Sequence, residues 1–169
     1  MIVNFRMIFS KVFDRLSYVK KGCIYLAMAR ILSLDFGSKR CGLAETDDLQ
    51  ILASPLDAVP TKELLTYLER YFQKYLVELL VIGLPVRADG SLSEIESEIQ
   101  KCIKQLERKF PQLPLARLNE RYTSKLALDA MIQMGSTKKD RRVKGNIDKI
   151  SAALILQQYL EIQRNTPKT

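Results

Sequence analysis

Three carboxylates carry the chemistry most readily read from this sequence: Asp35, Glu120 and Asp148. Asp35 follows the apolar run Ile31 to Leu34 and precedes Phe36-Gly37, so it projects from the end of a buried strand, where an unpaired acid is expensive. Glu120 closes the strand-like segment Pro114 to Leu118 in the same way. Asp148 opens a C-terminal helix whose residues three, four and seven positions on are Ser151, Ala152 and Ile155, a stripe small enough to lie close against a sheet. Each acid also has an ordinary explanation: Asp before Gly is a common turn pair, and an acid near a helix N-terminus complements the dipole. The dipole gives no reason for the small residues beneath Asp148. Three carboxylates at two strand ends and one helix start suit hard Mg²⁺ or Mn²⁺, which prefer oxygen ligands. Two such ions can activate a water and stabilise the leaving oxygen in phosphodiester hydrolysis.

Composition narrows the alternatives. The 169 residues contain no histidine, which excludes imidazole bases, His-ligated zinc and Ser-His or Cys-His nucleophile pairs. Cys23, Cys41 and Cys102 are odd in number, far apart and without a C-x-x-C, which argues against a disulfide framework and for a reducing, cytoplasmic setting. Lys and Arg number 27 against 19 acids, a formal charge of +8 that favours nucleic acid as partner. No apolar run approaches the roughly 20 residues of a membrane span, since Gly22 to Leu34 is interrupted by Arg30.

The elements that must position the acids follow from periodicity and punctuation. Arg30 to Asp35 and Arg40 to Glu45 read as a hairpin, and the segment around Ile51 to Ala53 as a third strand that Pro55 and Pro60 stop. Thr61 is expected to cap a helix carrying Leu64, Leu65, Leu68, Phe72 and Tyr75 on one face. Leu79 to Gly83 is a continuous apolar strand buried on both sides. Ser91-x-x-Glu94 has the form of a capping box for a helix striped by Ile95, Ile99, Cys102, Leu106 and Phe110. Leu113 to Leu118 is the last strand. Thr123 and Ser124 open a helix that stops at Gly135, Ser136 to Lys144 is a polar loop, and a final helix runs from about Ile147 to Ile162. The order is that of an α/β domain with an antiparallel meander and a parallel half, a five-stranded mixed sheet flanked by helices. The domain spans residues 28–164, with Met28 as its natural start, an N-terminal extension over 1–27 outside the core and a short tail over 165–169. The extension holds Arg6, Lys11, Arg15, Lys20 and Lys21 against Asp14 alone and lacks the clean pattern of a secretory signal, with a presequence as the alternative to a start at Met28.

Four ordered segments, D-F-G-S-K-R-C-G-L-A (35–44), V-I-G-L-P (81–85), N-E-R-Y-T-S (119–124) and K-G-N-I-D-K-I-S-A-A-L-I-L-Q (144–157), resemble the motifs of the YqgF family, whose members are described as pre-16S rRNA nucleases or Holliday junction resolvases. The resemblance covers nearly all of the chain from Met28 onward. It implies an RNase H-like fold, a cytoplasmic bacterial protein, and nuclease activity in 5′-end maturation of small-subunit ribosomal RNA, with pre-ribosomal particles as partners. It also implies that the acidic, metal-binding site falls on Asp35, Glu120 and Asp148, that Lys39 and Arg40 lie near phosphate, and that Arg121, Thr123 and Ser124 flank the site. One departure is visible: Asn119 stands where the family usually has Asp, which keeps an oxygen but loses a charge.

A basic stretch completes the candidate surface. Lys138, Lys139, Arg141, Arg142, Lys144 and Lys149, against Asp140 and Asp148, lead directly into the helix that carries Asp148, and are placed to grip a nucleic-acid backbone. A solvated charged loop is the plainer alternative. Competing functions are a junction-resolving DNA endonuclease using the same carboxylates, with RNA favoured over DNA as substrate, and a module that binds RNA without cutting it. Asp-x-Gly after a first strand also occurs in actin-like ATPases and sugar kinases, but this chain has the length of one such domain and no P-loop. Monomer and homodimer are both compatible with the sequence.

Overall fold

A computed structural model describes residues 29–86, 90–119 and 144–166. Their strands are β1 (Arg30–Phe36), β2 (Arg40–Thr46), β3 (Ala53–Pro60), β4 (Val77–Leu84) and β5 (Leu115–Asn119), and their α-helices are α1 (Leu64–Lys74), α2 (Glu96–Lys109) and α3 (Lys144–Asn165). The strands form one sheet in the order β3-β2-β1-β4-β5. The pairs β1/β2 and β2/β3 are antiparallel, whereas β4 lies parallel to both β1 and β5. This is the mixed five-stranded α/β architecture of the RNase H-like fold.

Strand alternation divides the core in two. Leu32, Leu34 and Phe36 of β1 join Leu80 and Ile82 of β4 on the face covered by α1 and α2. Ile31, Ala44, Leu79 and Val81 face α3, which contributes Ala152, Ile155, Leu156 and Leu160. Strands β1 and β4 are interior and almost wholly buried, which is why their sequences read as continuous apolar runs rather than alternating ones.

Several local expectations are corrected. Thr61 does not cap α1: residues Thr61–Glu63 form a 3₁₀ turn, and the Thr61 hydroxyl instead donates to the Gly37 carbonyl at 2.6 Å, tying the β1–β2 turn to the start of the helical segment. The buried face of α1 is Leu64, Leu68 and Tyr71, while Tyr75 ends the helix and is exposed. Helix α2 begins at Glu96 behind Ile95, which makes no side-chain cap, so Ser91-x-x-Glu94 precedes the helix rather than boxing its first turn. Its stripe is as expected, with Ile99, Cys102 and Leu106 buried. Strand β3 does not stop at Pro55. It runs through it to Pro60 because β3 is an edge strand, where a missing N–H can face outward, and the register shift opposite Leu43/Ala44 absorbs the misfit. Ile51 and Leu52, expected inside that strand, are exposed before it. Helix α3 extends beyond the expected range at both ends. The expected helix after Thr123 and the loop 136–143 lie outside the described residues. Among the described residues no helix is long and apolar enough to cross a membrane.

Candidate active site

The site begins with where β1 ends. Asp35 shares its face of the strand with Ile31 and Ser33, the face under α3. It stands opposite Gly42 of β2. Gly42 lies directly beneath the first turns of α3: a β-carbon built there would fall 1.9 Å from the Asp148 carbonyl oxygen. The helix backbone therefore rests on the strand, and Asp148 comes down beside Asp35. One turn along, the buried Ser33 hydroxyl donates to the Ala152 carbonyl at 2.6 Å. Four helical residues rise about 6 Å and two strand residues about 6.6 Å. The step from Ala152 to Asp148 thus matches the step from Ser33 to Asp35.

The charge of Asp148 is near enough to act on Asp35. Burial, and then the neighbouring negative charge of Asp148, push the Asp35 carboxyl up to about 6, with a hydrogen bond from Ser151 partly opposing the rise. Arg40, on the first residue of β2, approaches Asp148 at 3.5 Å with 42% of its side chain still exposed, so it reaches the site while remaining open to solvent. Lys39 is exposed at the tip of the same turn, and its carbonyl accepts the Thr61 backbone N–H at 3.2 Å. Cys41 is buried on the opposite face of β2, where burial raises its thiol above the usual range and removes it as a thiolate nucleophile.

The donor set is oxygen: two carboxylates and the Ser151 hydroxyl. Among the described residues no group of three or more ligand-type side chains forms, so Asp35 and Asp148 are the part of the expected triad seen together. A divalent cation between them would remove both causes of the Asp35 shift, and in that sense the residues present fit Mg²⁺ or Mn²⁺. Strand β5 finishes at the same, carboxyl end of the parallel strands, with Leu84 paired to Asn119 just as Leu34 pairs with Ile82 two residues earlier on β4. Asn119 is exposed there. Glu120, Arg121, Thr123, Ser124, Lys138, Lys139, Arg141 and Arg142 lie outside the described residues. Lys144 opens α3.

Residues 29–162 match the family described as RuvX: Holliday junction resolvase. The chain belongs to this family. Curated relatives agree across almost their whole length. A protein of Christiangramia forsetii named "Putative pre-16S rRNA nuclease" is 48% identical over 133 residues, 79% of this chain and 98% of the relative. One of Bacteroides thetaiotaomicron with the same name is 44% identical over 137 residues, covering 81% and 99%. A third, from Amoebophilus asiaticus, is 45% identical over 133 residues, covering 79% and 94%. The RuvX match runs from β1 through α3 except for its last three residues, so Asp35 and Asp148 both fall inside it.

Two contributors to the site escaped the sequence reading. Ser33 is a polar residue in the apolar run R-I-L-S-L-D, two positions before Asp35, and that spacing alone puts both on one face. Gly42 sits in the middle of a strand, where glycine costs stability unless another backbone approaches. Both signals are present in the sequence, but neither says what approaches.

Proposed function

We propose that this chain is a metal-dependent nuclease that hydrolyses phosphodiester bonds in the 5′-end processing of the small-subunit ribosomal RNA precursor, acting in the cytoplasm on pre-ribosomal particles. The observation that carries the reading is the meeting of Asp35 and Asp148 where β1 ends beneath the first turns of α3, with the Asp35 carboxyl raised by burial and then by its neighbour. The names of the relatives, which align over nearly their full length, support the RNA substrate. Ala116 and Leu118 of β5 face α3 as Asp35 does, and Glu120 is taken as the third acid of the reading on its motif, N-E-R-Y-T-S, which follows directly in the sequence.

In this reading Asp35, Asp148 and Glu120 would hold Mg²⁺ or Mn²⁺, which when bound would supply Lewis-acid chemistry and lower the pKa of water. The chain's own residues do the rest. Ser151 orients the Asp35 carboxylate, and Arg40 and Lys39 meet phosphate at the mouth of the site. Arg121, Thr123 and Ser124 flank the third acid, while Lys138, Lys139, Arg141, Arg142 and Lys144 hold the backbone of the strand on the approach to α3. Residues 28–164 make up this nuclease domain, with 1–27 and 165–169 outside it.

The family's description as a Holliday junction resolvase keeps a second substrate in view. Purified protein is offered a ribosomal RNA precursor fragment spanning the mature 5′ end and, separately, a four-way DNA junction, each with Mn²⁺ and with chelator. Mn²⁺-dependent cleavage of the RNA near its mature end is the expected result. Cleavage of the junction alone would transfer the site to DNA, and no cleavage of either would refute the nuclease reading.

A further inference from the structure

Gly42 has an unexplained identity. It is a buried strand residue whose backbone φ is not in the left-handed region, so nothing in its own conformation requires glycine. Its neighbours do. A β-carbon at this position would lie 1.9 Å from the carbonyl oxygen of Asp148, 2.3 Å from its carbonyl carbon and 3.0 Å from the backbone nitrogen of Lys149. The obstacle is helix backbone rather than a flexible side-chain end, so it cannot rotate away. Gly42 is also the β2 partner of Asp35. The residue that bears one carboxylate is thus cross-strand neighbour to the residue on which the other carboxylate's backbone sits.

We infer that Gly42 is a positioning residue for the two-acid site, setting the separation of Asp35 and Asp148 through direct contact of its bare backbone with the Asp148 carbonyl. This rests on the nuclease reading above for its link to catalysis, but the geometry stands by itself. The Ser33 hydroxyl on the Ala152 carbonyl fixes how far α3 slides along β1, and Gly42 fixes how closely its first turns approach. A methyl group at residue 42 leaves the first tie in place and forces the second apart by about 1 Å, since β-carbon contacts under 3.0 Å essentially never occur. Misplacement of that size costs on the order of 10²-fold in rate.

Gly42→Ala is compared with Gly145→Ala, which lies in the first turn of α3 and whose added β-carbon would meet only the Ala58 side chain at 3.2 Å. Mn²⁺ binding is read by loss of the free-ion paramagnetic resonance signal, alongside kcat and KM on the RNA fragment and thermal unfolding. Gly42→Ala is expected to fold, because Ile31, Val81, Ala152, Ile155 and Leu156 still hold α3. It is expected to lose 10- to 100-fold in Mn²⁺ affinity and about 10²-fold in kcat with KM for RNA within threefold, whereas Gly145→Ala keeps all three. Adding Asp148→Glu to Gly42→Ala lengthens the carboxylate arm and should recover at least fivefold in Mn²⁺ affinity. Wild-type Mn²⁺ affinity in Gly42→Ala would overturn the inference, as would a variant that fails to fold with and without the longer arm. Wild-type protein that binds no Mn²⁺ at all would instead bring down the site reading beneath it.

Discussion

Asp35→Asn keeps the shape of the side chain and removes the charge that the apo site tolerates worst. In the wild-type apo protein the Asp35 carboxyl is held protonated up to about 6, against an ordinary value near 3.8. Below pH 3.8 the group is neutral in folded and unfolded chains alike and imposes no penalty. Between 3.8 and about 6 the unfolded chain loses its proton while the folded one retains it, so stability falls as pH rises, and above 6 the loss is complete. At 1.36 kcal/mol per unit the full loss is about 3 kcal/mol, reduced to about 2 by the partial access of solvent to the residue. Asparagine cannot ionise and escapes this loss. The variant should therefore match wild type at pH 4 and exceed it by about 2 kcal/mol at pH 7.5, on the order of 5 to 10 °C in unfolding midpoint without divalent ions. Its cleavage of RNA should fall by orders of magnitude. Saturating Mn²⁺ should raise the wild-type midpoint and leave the variant unmoved, so that the gap closes. Unfolding is followed by circular dichroism across the pH range, with and without chelator. A difference that does not vary with pH, or a variant less stable than wild type at pH 7.5, would refute the account of Asp35 as a strained acid awaiting metal.

Asp148→Asn should likewise abolish cleavage without loss of apo stability, because it removes the charge that opposes Asp35; since α3 begins at Lys144, Asp148 lies beyond its first turn, and a loss of about 1 kcal/mol or more in chemical denaturation would instead show that its pairing with Arg40 outweighs that repulsion. Neutralising Lys138, Lys139, Arg141 and Arg142 together should weaken RNA binding and flatten the dependence of affinity on salt, measured by fluorescence anisotropy from 50 to 300 mM; an unchanged slope would show that the loop does not touch phosphate. Removing residues 1–27 should leave the unfolding midpoint within about 2 °C, because β1 begins at Arg30, and a larger fall would place the extension in the core. Glu96 is held below the usual carboxylate range by Arg117, which reaches both its oxygens at 2.8 Å and also donates to the Gly83 carbonyl. Its contribution is present at neutral pH and lost as pH falls through that lowered value, so Glu96→Gln should cost about 1 to 3 kcal/mol at pH 7 and progressively less as the pH is lowered into the acid range.

Much of this arrangement was legible in the sequence because its signals are local. The runs Ile31 to Leu34 and Leu79 to Gly83 announce buried strands, and the order of hairpin, helix and strand announces a mixed sheet. The spacing of Asp148, Ser151, Ala152 and Ile155 announces a helix face pressed on something flat. What stayed hidden depends on partners distant in the chain. Whether Pro55 ends a strand depends on its being at the edge of the sheet, which only the strand order reveals. Thr61 has the right chemistry for a cap, but the Gly37 carbonyl 24 residues earlier takes its hydroxyl. The third acid rests on its motif alone, whereas the pairing of Asp35 with Gly42 and the Asp148 backbone above Gly42 bring the other two acids to one place.

Strand β3 has a bearing on how copies of this molecule can associate. An open sheet edge invites a second sheet to pair with it, but here Pro55 and Pro60 lack the N–H groups such pairing needs, and the register shift near Leu43 breaks the regular ladder between them. Helix α3 also packs against this strand. The β3 margin is thus a poor template for a continuous intermolecular sheet. Among the described residues this leaves the helices and the β5 side as the surfaces through which copies could join, with the β1–β2 turn that carries Lys39 and Arg40 uncovered.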